Sequence, residues 1–332
     1  MVDIIFDTDA VGDDILAIFF GALHKDIRMH AVTTSCGASG SIEQANNVSL
    51  NMLDLAGRQD IPVYQGRSGP LVARESSNLG DPVNFDQTMK GKFGDRLKKF
   101  NPPSPKPARN VSGVSASDFI IKKIHETPDI TLVVTGPLTN LGEALQKDSS
   151  IASKVKEAYI MGGCFNSPGN ITPVVEYNIW ADSHAAKIVF NSGMNITLVP
   201  LDVCENNAFA DGMLTRDHLA DLSEAGGKIS DFMNDRFPIY IDIWREFFQL
   251  GGFPMDDVIA LALVVDETLC KYTERTIVDV ELDGELTSGQ TISYFGRQII
   301  RTDIGKPRNT RIACSVDGKR FMNLFVETLL GK

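Results

Sequence analysis

The sequence predicts an α/β fold, a mostly parallel central sheet with helices on both faces, Rossmann-like, in a single domain spanning residues 1–332. Two observations predict it. Short apolar runs alternate with stretches of helical periodicity along most of the chain. The runs are also nearly continuous rather than alternately polar, as strands covered on both faces are. Val2–Phe6 reads as the first strand and Asp13–Leu23 as the helix behind it. Met29–Thr34, Ser41–Ala56 and Ile61–Tyr64 continue as strand, helix and strand. Further on come helix Ala116–Glu126, strand Ile130–Val134 and a helix opening near Leu138. Ala158–Met161 and Asn195–Pro200 read as strands separated by helix Asp182–Phe190. Two stretches break this rhythm. Residues 66–113 concentrate proline, glycine and serine, including "NPPSPKPARN", and an insertion that long is commonly functional. From about residue 275, extended segments and hairpin-like turns precede a last helix near Arg320–Leu330, which reads as an appendage to the same domain.

Composition narrows the function. Hydrophobic residues make up 43% and charged residues 23%, as in soluble globular chains. With 32 basic and 43 acidic residues the net charge is −11, which disfavours a broad nucleic-acid or anionic-membrane surface. No run approaches the roughly 20 apolar residues of a membrane helix, and no signal peptide is expected. The five cysteines are scattered and form no CxxC pair, which favours free thiols in the cytoplasm over a zinc site.

The chemistry concentrates in "VDIIFDTDAVGDD". Asp7, Asp9, Asp13 and Asp14 follow the first strand directly, and ligands of parallel sheets bind at the carboxyl ends of strands. An acidic helix start that favours the macrodipole explains one or two of them, not four. Crowded carboxylates need a cation among them, or one held neutral for chemistry. Two readings fit locally. In one, the aspartates cage a hard divalent cation that activates water. In the other, "FDTDAV" matches the DxDx[TV] pattern of the haloacid-dehalogenase-like phosphatases. Asp7 is then the nucleophile and Asp9 the acid and base, with "TLVVT" ending at Thr135 and "MDD" at Met255–Asp257 as further motifs and Mg²⁺ as the ion.

The rest of the chain separates them. "DTDAVGDD" resembles the DTDxGxDD signature of the nucleoside hydrolase family, the inosine/uridine-preferring ribonucleoside N-ribohydrolases. "LVVTGPLTNL" at 132–141, "YIMGGCFNSPGNITPVVEYNIWADSHAA" at 159–186 and "FPMDDVIALALVVD" at 253–266 resemble that family's later segments, in its order. The resemblance implies a nucleoside-hydrolase fold, a ribonucleoside substrate and one Ca²⁺. Its ligands would be Asp9, Asp14, Asp256 and the backbone carbonyl of Thr135, with the ribose diol and a water completing the shell. It implies Asp9 as the base that deprotonates this water, Asp7 as a supporting residue, and Asp13 and Asn178 on the ribose hydroxyls. Asn170 and Glu176 would hold the 5′-hydroxyl, and Met161 would shape the pocket floor. Asp256 would touch substrate as well as metal. A homodimer or homotetramer is implied too.

The chain departs from the pattern where relatives carry a histidine before the last metal-binding aspartate, because here stands Met255. No histidine occurs between His30 and His125 either, and Ala38 stands where the family often has asparagine. Base stacking by Tyr240, Trp244 or Phe248 is then one substitute for acid catalysis by histidine, and direct protonation by solvent water through an open channel is the other. Purines carry an extra protonatable nitrogen, so purine ribonucleosides are favoured. The missing histidines also motivate another reading, an inactive relative that binds a nucleoside.

Overall fold

The computed structural model describes residues 1–73, 102–205, 207–295 and 304–331. Its first half runs β1 (Val2–Thr8), α1 (Asp14–Leu23), β2 (Ile27–Thr34), α2 (Ile42–Leu55), β3 (Val63–Gln65), α3 (Ala116–Glu126), β4 (Thr131–Val134) and α4 (Thr139–Lys147). There follow β5 (Glu157–Met161), α5 (Tyr177–Ala181), α6 (Ser183–Phe190), β6 (Ile196–Val199) and α7 (Leu201–Cys204). Helices α8 (Arg216–Ala225), α9 (Lys228–Arg236), α10 (Pro238–Phe247) and α11 (Asp256–Val265) come next. The chain ends with β7 (Cys270–Tyr272), β8 (Val278–Val280), β9 (Thr291–Ser293), β10 (Thr310–Val316) and α12 (Gly318–Leu329).

The main sheet has eight strands in the order β3-β2-β1-β4-β5-β6-β10-β7, and only the β10–β7 pair is antiparallel. The chain steps outward from β1 to β3, returns to lay β4 on the free side of β1, and then steps the other way. This reversal leaves a crevice at the carboxyl ends of β1 and β4, the place where such sheets bind ligands. Both faces are covered, one around Phe19, Leu261 and Phe325, the other around Ile120, Leu141 and Val189. Nine of the ten residues of α1 are buried, as are nine of the ten of α11. Helices apolar all round are fixed on every side, so their N-termini are held at the crevice.

The structure differs from the sequence reading after residue 275. Among the described residues only the two-stranded β8–β9 sheet stands apart there, because β10 inserts between β6 and β7 in the main sheet. Its burial pattern is mixed, and Arg311, Ser315 and Cys314 hide its core role from an apolar-run criterion. Of the long irregular segment, residues 74–101 lie outside the described residues. The proline-rich part that follows lies along α2, where Gln44 Nε2 donates to the Pro102 carbonyl at 3.0 Å and Arg109 Nε to Asp54 at 2.7 Å.

Candidate active site

A cavity of about 390 Å³ opens at the carboxyl ends of β1 and β4. Seven of its lining residues are acidic: Asp9, Asp13, Asp14, Glu176, Glu205, Asp256 and Asp257. None of the described lining residues is lysine, arginine or histidine.

Local backbone brings the acids together. Ala10 (φ 57°) and Gly12 (φ 62°) adopt left-handed conformations that fold the end of β1 directly back into α1. Asp14, the first residue of α1, is then tied to two strands. Its Oδ1 accepts from the hydroxyls of Thr8 and Thr135, the latter at 2.7 Å, and its Oδ2 from the Val11 N–H at 3.1 Å. Asp9 Oδ2 accepts from the Ala38 N–H at 2.5 Å. Asp13 Oδ2 accepts from the Asp257 N–H at 2.9 Å, joining the starts of α1 and α11.

The opposite wall comes from β4, β5 and α5. Asn178 Nδ2 donates to the Thr135 carbonyl at 2.8 Å and reaches the Met161 carbonyl at 3.4 Å, bridging two strand ends. Glu176 caps α5, with Oε1 accepting from Asn178 N–H (2.7 Å) and Oε2 from Gly163 and Ile179 N–H (3.0 and 3.1 Å). Asn170 stands exposed at the rim, its Oδ1 accepting from the Tyr177 N–H at 2.8 Å. Each sequence-predicted sugar contact therefore lines one cavity, and Met161 lies buried at its edge.

Asp7 is the exception. It does not line the cavity. Its Oδ2 accepts from Thr33 Oγ1 at 2.5 Å and Asn140 Nδ2 at 2.8 Å, while its carbonyl accepts from the Thr135 N–H at 2.8 Å. A carboxyl enclosed in this way cannot attack a substrate. The phosphatase reading, which makes Asp7 the nucleophile, is corrected on that ground, and Asp7 instead holds the ends of β1 and β4 together.

Crowding with no basic side chain among the described lining residues sets the electrostatics. Burial first, then repulsion from Asp14, pushes the Asp9 carboxyl well above the usual range, and the two side chains are close enough to share a hydrogen bond. Burial and Asp14 lift Asp13 to about 7. Asp256 is raised by burial and by Glu205, and Asp257 by burial and by Asp13.

The donors suit a hard cation in chemistry, since all are carboxylate or carbonyl oxygens. Asp256 Oδ1 is buried without a hydrogen-bond partner, an acceptor left for such an ion. The side chains are not drawn into a closed cage: among the described residues no three Asp, Glu, His or Cys side chains converge into one, and the Thr135 carbonyl already accepts from Asn178.

The third wall is aromatic. Trp244 lies edge-on to Phe253 at 5.0 Å and 78°, with Phe248, 45% exposed, at 5.4 Å. Tyr240 borders the cavity from behind. It is 0% exposed and packs on Phe237 and Phe253, so of the three stacking candidates it is the one set in the core. Met255 is likewise 0% exposed and offers no proton. None of the five histidines lines the cavity: His30 pairs with Asp3, His125 with Asp148, His218 caps α8, His24 bonds the Asp26 N–H and His184 is exposed.

Two cavity acids escape sequence reasoning: Asp257 enters it only within "MDD", and Glu205 does not enter it. The available signal for Glu205 was its position just past the carboxyl end of β6.

Comparison with known proteins agrees with this geometry. The inosine-uridine preferring nucleoside hydrolase family matches residues 4–323. The chain belongs to that family. It shares its 33% identity over 98% of its length with an inosine-uridine preferring nucleoside hydrolase of Leishmania major, covering 96% of that protein. Uridine nucleosidase 1 of Arabidopsis thaliana is 34% identical over 88% of this chain and 82% of its own. The solved structure of a purine-preferring ribonucleoside hydrolase from Gardnerella vaginalis superposes with a TM-score of 0.83, at 26% identity and over 99% of this chain and 98% of that one. As a nucleoside hydrolase the protein is an enzyme of N-glycosyl bonds, and its parallel sheet is that of its family.

Proposed function

We propose that this nucleoside hydrolase cleaves ribonucleosides to free base and ribose in nucleoside salvage, purine ribonucleosides ahead of pyrimidine ones, with Ca²⁺ as its ion. The observation that carries the reading is a cavity with seven acidic residues and no described basic one, set against an aromatic wall. As the C1′–N bond breaks, its electron pair leaves with the base and positive charge builds on the ribose. Fixed carboxylates favour that state over the neutral substrate, which is the differential binding that accelerates a reaction.

Asp9, Asp14, Asp256 and the Thr135 carbonyl are the residues that would hold the ion. Bound there, a hard divalent cation would offset the crowded charge, grip a cis-diol and acidify water. Asp9 takes the proton of the water that attacks C1′, and the Ala38 N–H fixes its carboxyl for that task. Asp13 and Asn178 receive the ribose hydroxyls; Glu176 and Asn170 receive the 5′ end. Trp244 and Phe248 face the base, and purine preference follows from their stacking area and from the absence of a histidine acid among the described lining residues. The five free thiols suit a cytoplasmic enzyme, and a homodimer or homotetramer completes the reading.

The test is ribose release from inosine and from uridine by EDTA-treated enzyme, before and after Ca²⁺ is restored. Calcium-dependent release with inosine ahead supports the proposal. Nucleoside binding without release would identify an inactive binding relative instead.

A further inference from the structure

Asp202 does not line the cavity and has no part in the hydrolysis just described. It is the second residue of α7, just past the carboxyl end of β6. Its two oxygens gather one loop. Oδ2 accepts from the Phe165 N–H at 2.8 Å and from Ser167 Oγ at 3.3 Å, and Oδ1 accepts from the N–H groups of Asn166 and Ser167 at 2.7 and 3.3 Å. Successive backbone N–H groups turned to one side form a concavity that suits an anion, and here the anion is a side chain from the neighbouring strand end. A neutral amide is a poor replacement, since only one of its two ends accepts. The loop so gathered leads from the end of β5 to the rim of the cavity, and its other fastenings lie on either side. Before it, Thr291 Oγ1 accepts from the Cys164 N–H at 3.1 Å and donates to the Cys164 carbonyl at 2.8 Å. Beyond it, the Gly169 N–H donates to the Pro173 carbonyl at 3.1 Å, and Asn170 Oδ1 accepts from the Tyr177 N–H. A β-carbon on Gly169 would collide with the Val175 carbonyl, so the approach to Asn170 lies directly on the segment that leads to Glu176. Asn166, Pro168 and Asn170 are exposed, so burial fixes little of this stretch and hydrogen bonds must.

We propose that Asp202 is a positioning residue for the 5′ end of the sugar: by gathering the N–H groups of residues 165–167 it holds Asn170 at the rim, and so sets how strongly nucleosides with a 5′-hydroxyl are preferred. The proposal rests on the reading of the cavity as a ribonucleoside site with Asn170 at the 5′ end.

The clamp is read first without substrate or variant. In the wild-type protein the amides of Phe165, Asn166 and Ser167 should exchange with solvent deuterium at least about tenfold more slowly than unprotected amides, although Asn166 is exposed. Free exchange at all three overturns the clamp. Specificity is read as the ratio of kcat/KM for inosine to that for 5′-deoxyinosine, with Ca²⁺ present. D202N should lower this ratio about tenfold, the size of one lost hydrogen bond, because inosine suffers and 5′-deoxyinosine does not. N170A should lower it equally, and D202N should add nothing to N170A, as expected of two residues acting through one contact. Should D202N not fold, S167A removes one of the four bonds from the loop side and lowers the ratio about twofold. Equal losses on both nucleosides, or an unchanged ratio in the folded variant, overturn the positioning role. A parent that cleaves both nucleosides equally well overturns it too. If the parent releases sugar from neither, the ribonucleoside reading fails, and the exchange arm still decides the clamp.

Discussion

Gly37 lies directly behind the proposed base. A β-carbon at this position would stand 2.0 Å from Asp9 Oδ2 and 2.7 Å from both Asp9 Cβ and Cγ. Carbon atoms in ordinary contact are about 3.5–4.0 Å apart, so Gly37→Ala falls short by about 1 Å at two atoms. Gly37 is not at positive φ, so alanine can adopt its backbone conformation and only the bulk of the methyl acts. Either Asp9 swings off its 2.5 Å bond to the Ala38 N–H, or the loop that supplies that N–H lifts. The first moves the carboxyl by about 1 Å and the second frees it from the N–H that fixes it, and misplacement of about 1 Å costs about 100-fold in rate. Ribose release at saturating inosine should therefore fall about 100-fold in kcat while KM changes little, since the ribose contacts remain. Overpacking should lower stability by about 1–3 kcal/mol in the same variant. Gly113→Ala is the control, because a β-carbon there meets nothing within 4 Å. A Gly37→Ala enzyme with wild-type kcat would refute both the placement of Asp9 and its role.

Four further outcomes follow from the same contacts. Asp9→Asn should abolish turnover but leave inosine binding within about tenfold, checked by calorimetry; retained turnover would remove Asp9 as base. Asn140→Ala deprives the buried Asp7 carboxylate of its 2.8 Å donor and should cost about 1–3 kcal/mol in denaturant unfolding, with an unchanged midpoint refuting the bracing role. Adding Ca²⁺ to EDTA-treated protein should raise Tm, by an amount corresponding to about 2.7 kcal/mol at a hundredfold excess over Kd, and no rise would count against the ion. Burial holds His218 below its ordinary value, so on acidification the unfolded chain takes up the proton first. Its contribution to stability is present above about pH 6.5 and is lost as pH falls toward the lowered value, so the drop in Tm between about pH 7 and pH 5.5 should be shallower in His218→Gln.

The alternation of strand and helix was legible wherever an element is buried on every side, as β1 and α1 are. Periodicity failed where burial is partial. β10 reads as an appendage because its charged and polar residues sit at the end of the sheet, and α8 and α9 have few buried positions. The ribose side of the site was legible because its residues are contiguous in short motifs at strand ends: Asp9, Asp13 and Asp14 in one, Asn170, Glu176 and Asn178 in another. Glu205 carries no motif; it reaches the cavity because it closely follows the carboxyl end of β6, a position that shows only once the strand is assigned. Tyr240, Trp244 and Phe248 show the same limit from the other direction. Their spacing marks one helix face, but only packing divides the buried Tyr240 from Phe248, which stands open at the rim.

The crowded carboxylates also explain why the scaffold beneath them is so apolar. Asp14 and Asp256 begin α1 and α11, so repulsion between the clusters acts along lines that would push the two helix starts apart. An amphipathic surface helix could relieve the strain by rotating or fraying, and the cavity would open. These two helices are buried on all sides, pack against each other, and are joined at their starts by the Asp257 N–H and the Asp13 carboxylate. Displacing either start exposes apolar surface at about 25 cal/mol per Å², so a shift uncovering even 100 Å² costs about 2.5 kcal/mol. The repulsion is thereby held in place rather than relaxed, and it remains available to whatever positive charge enters: a cation first, and then the ribose ring as its bond to the base breaks.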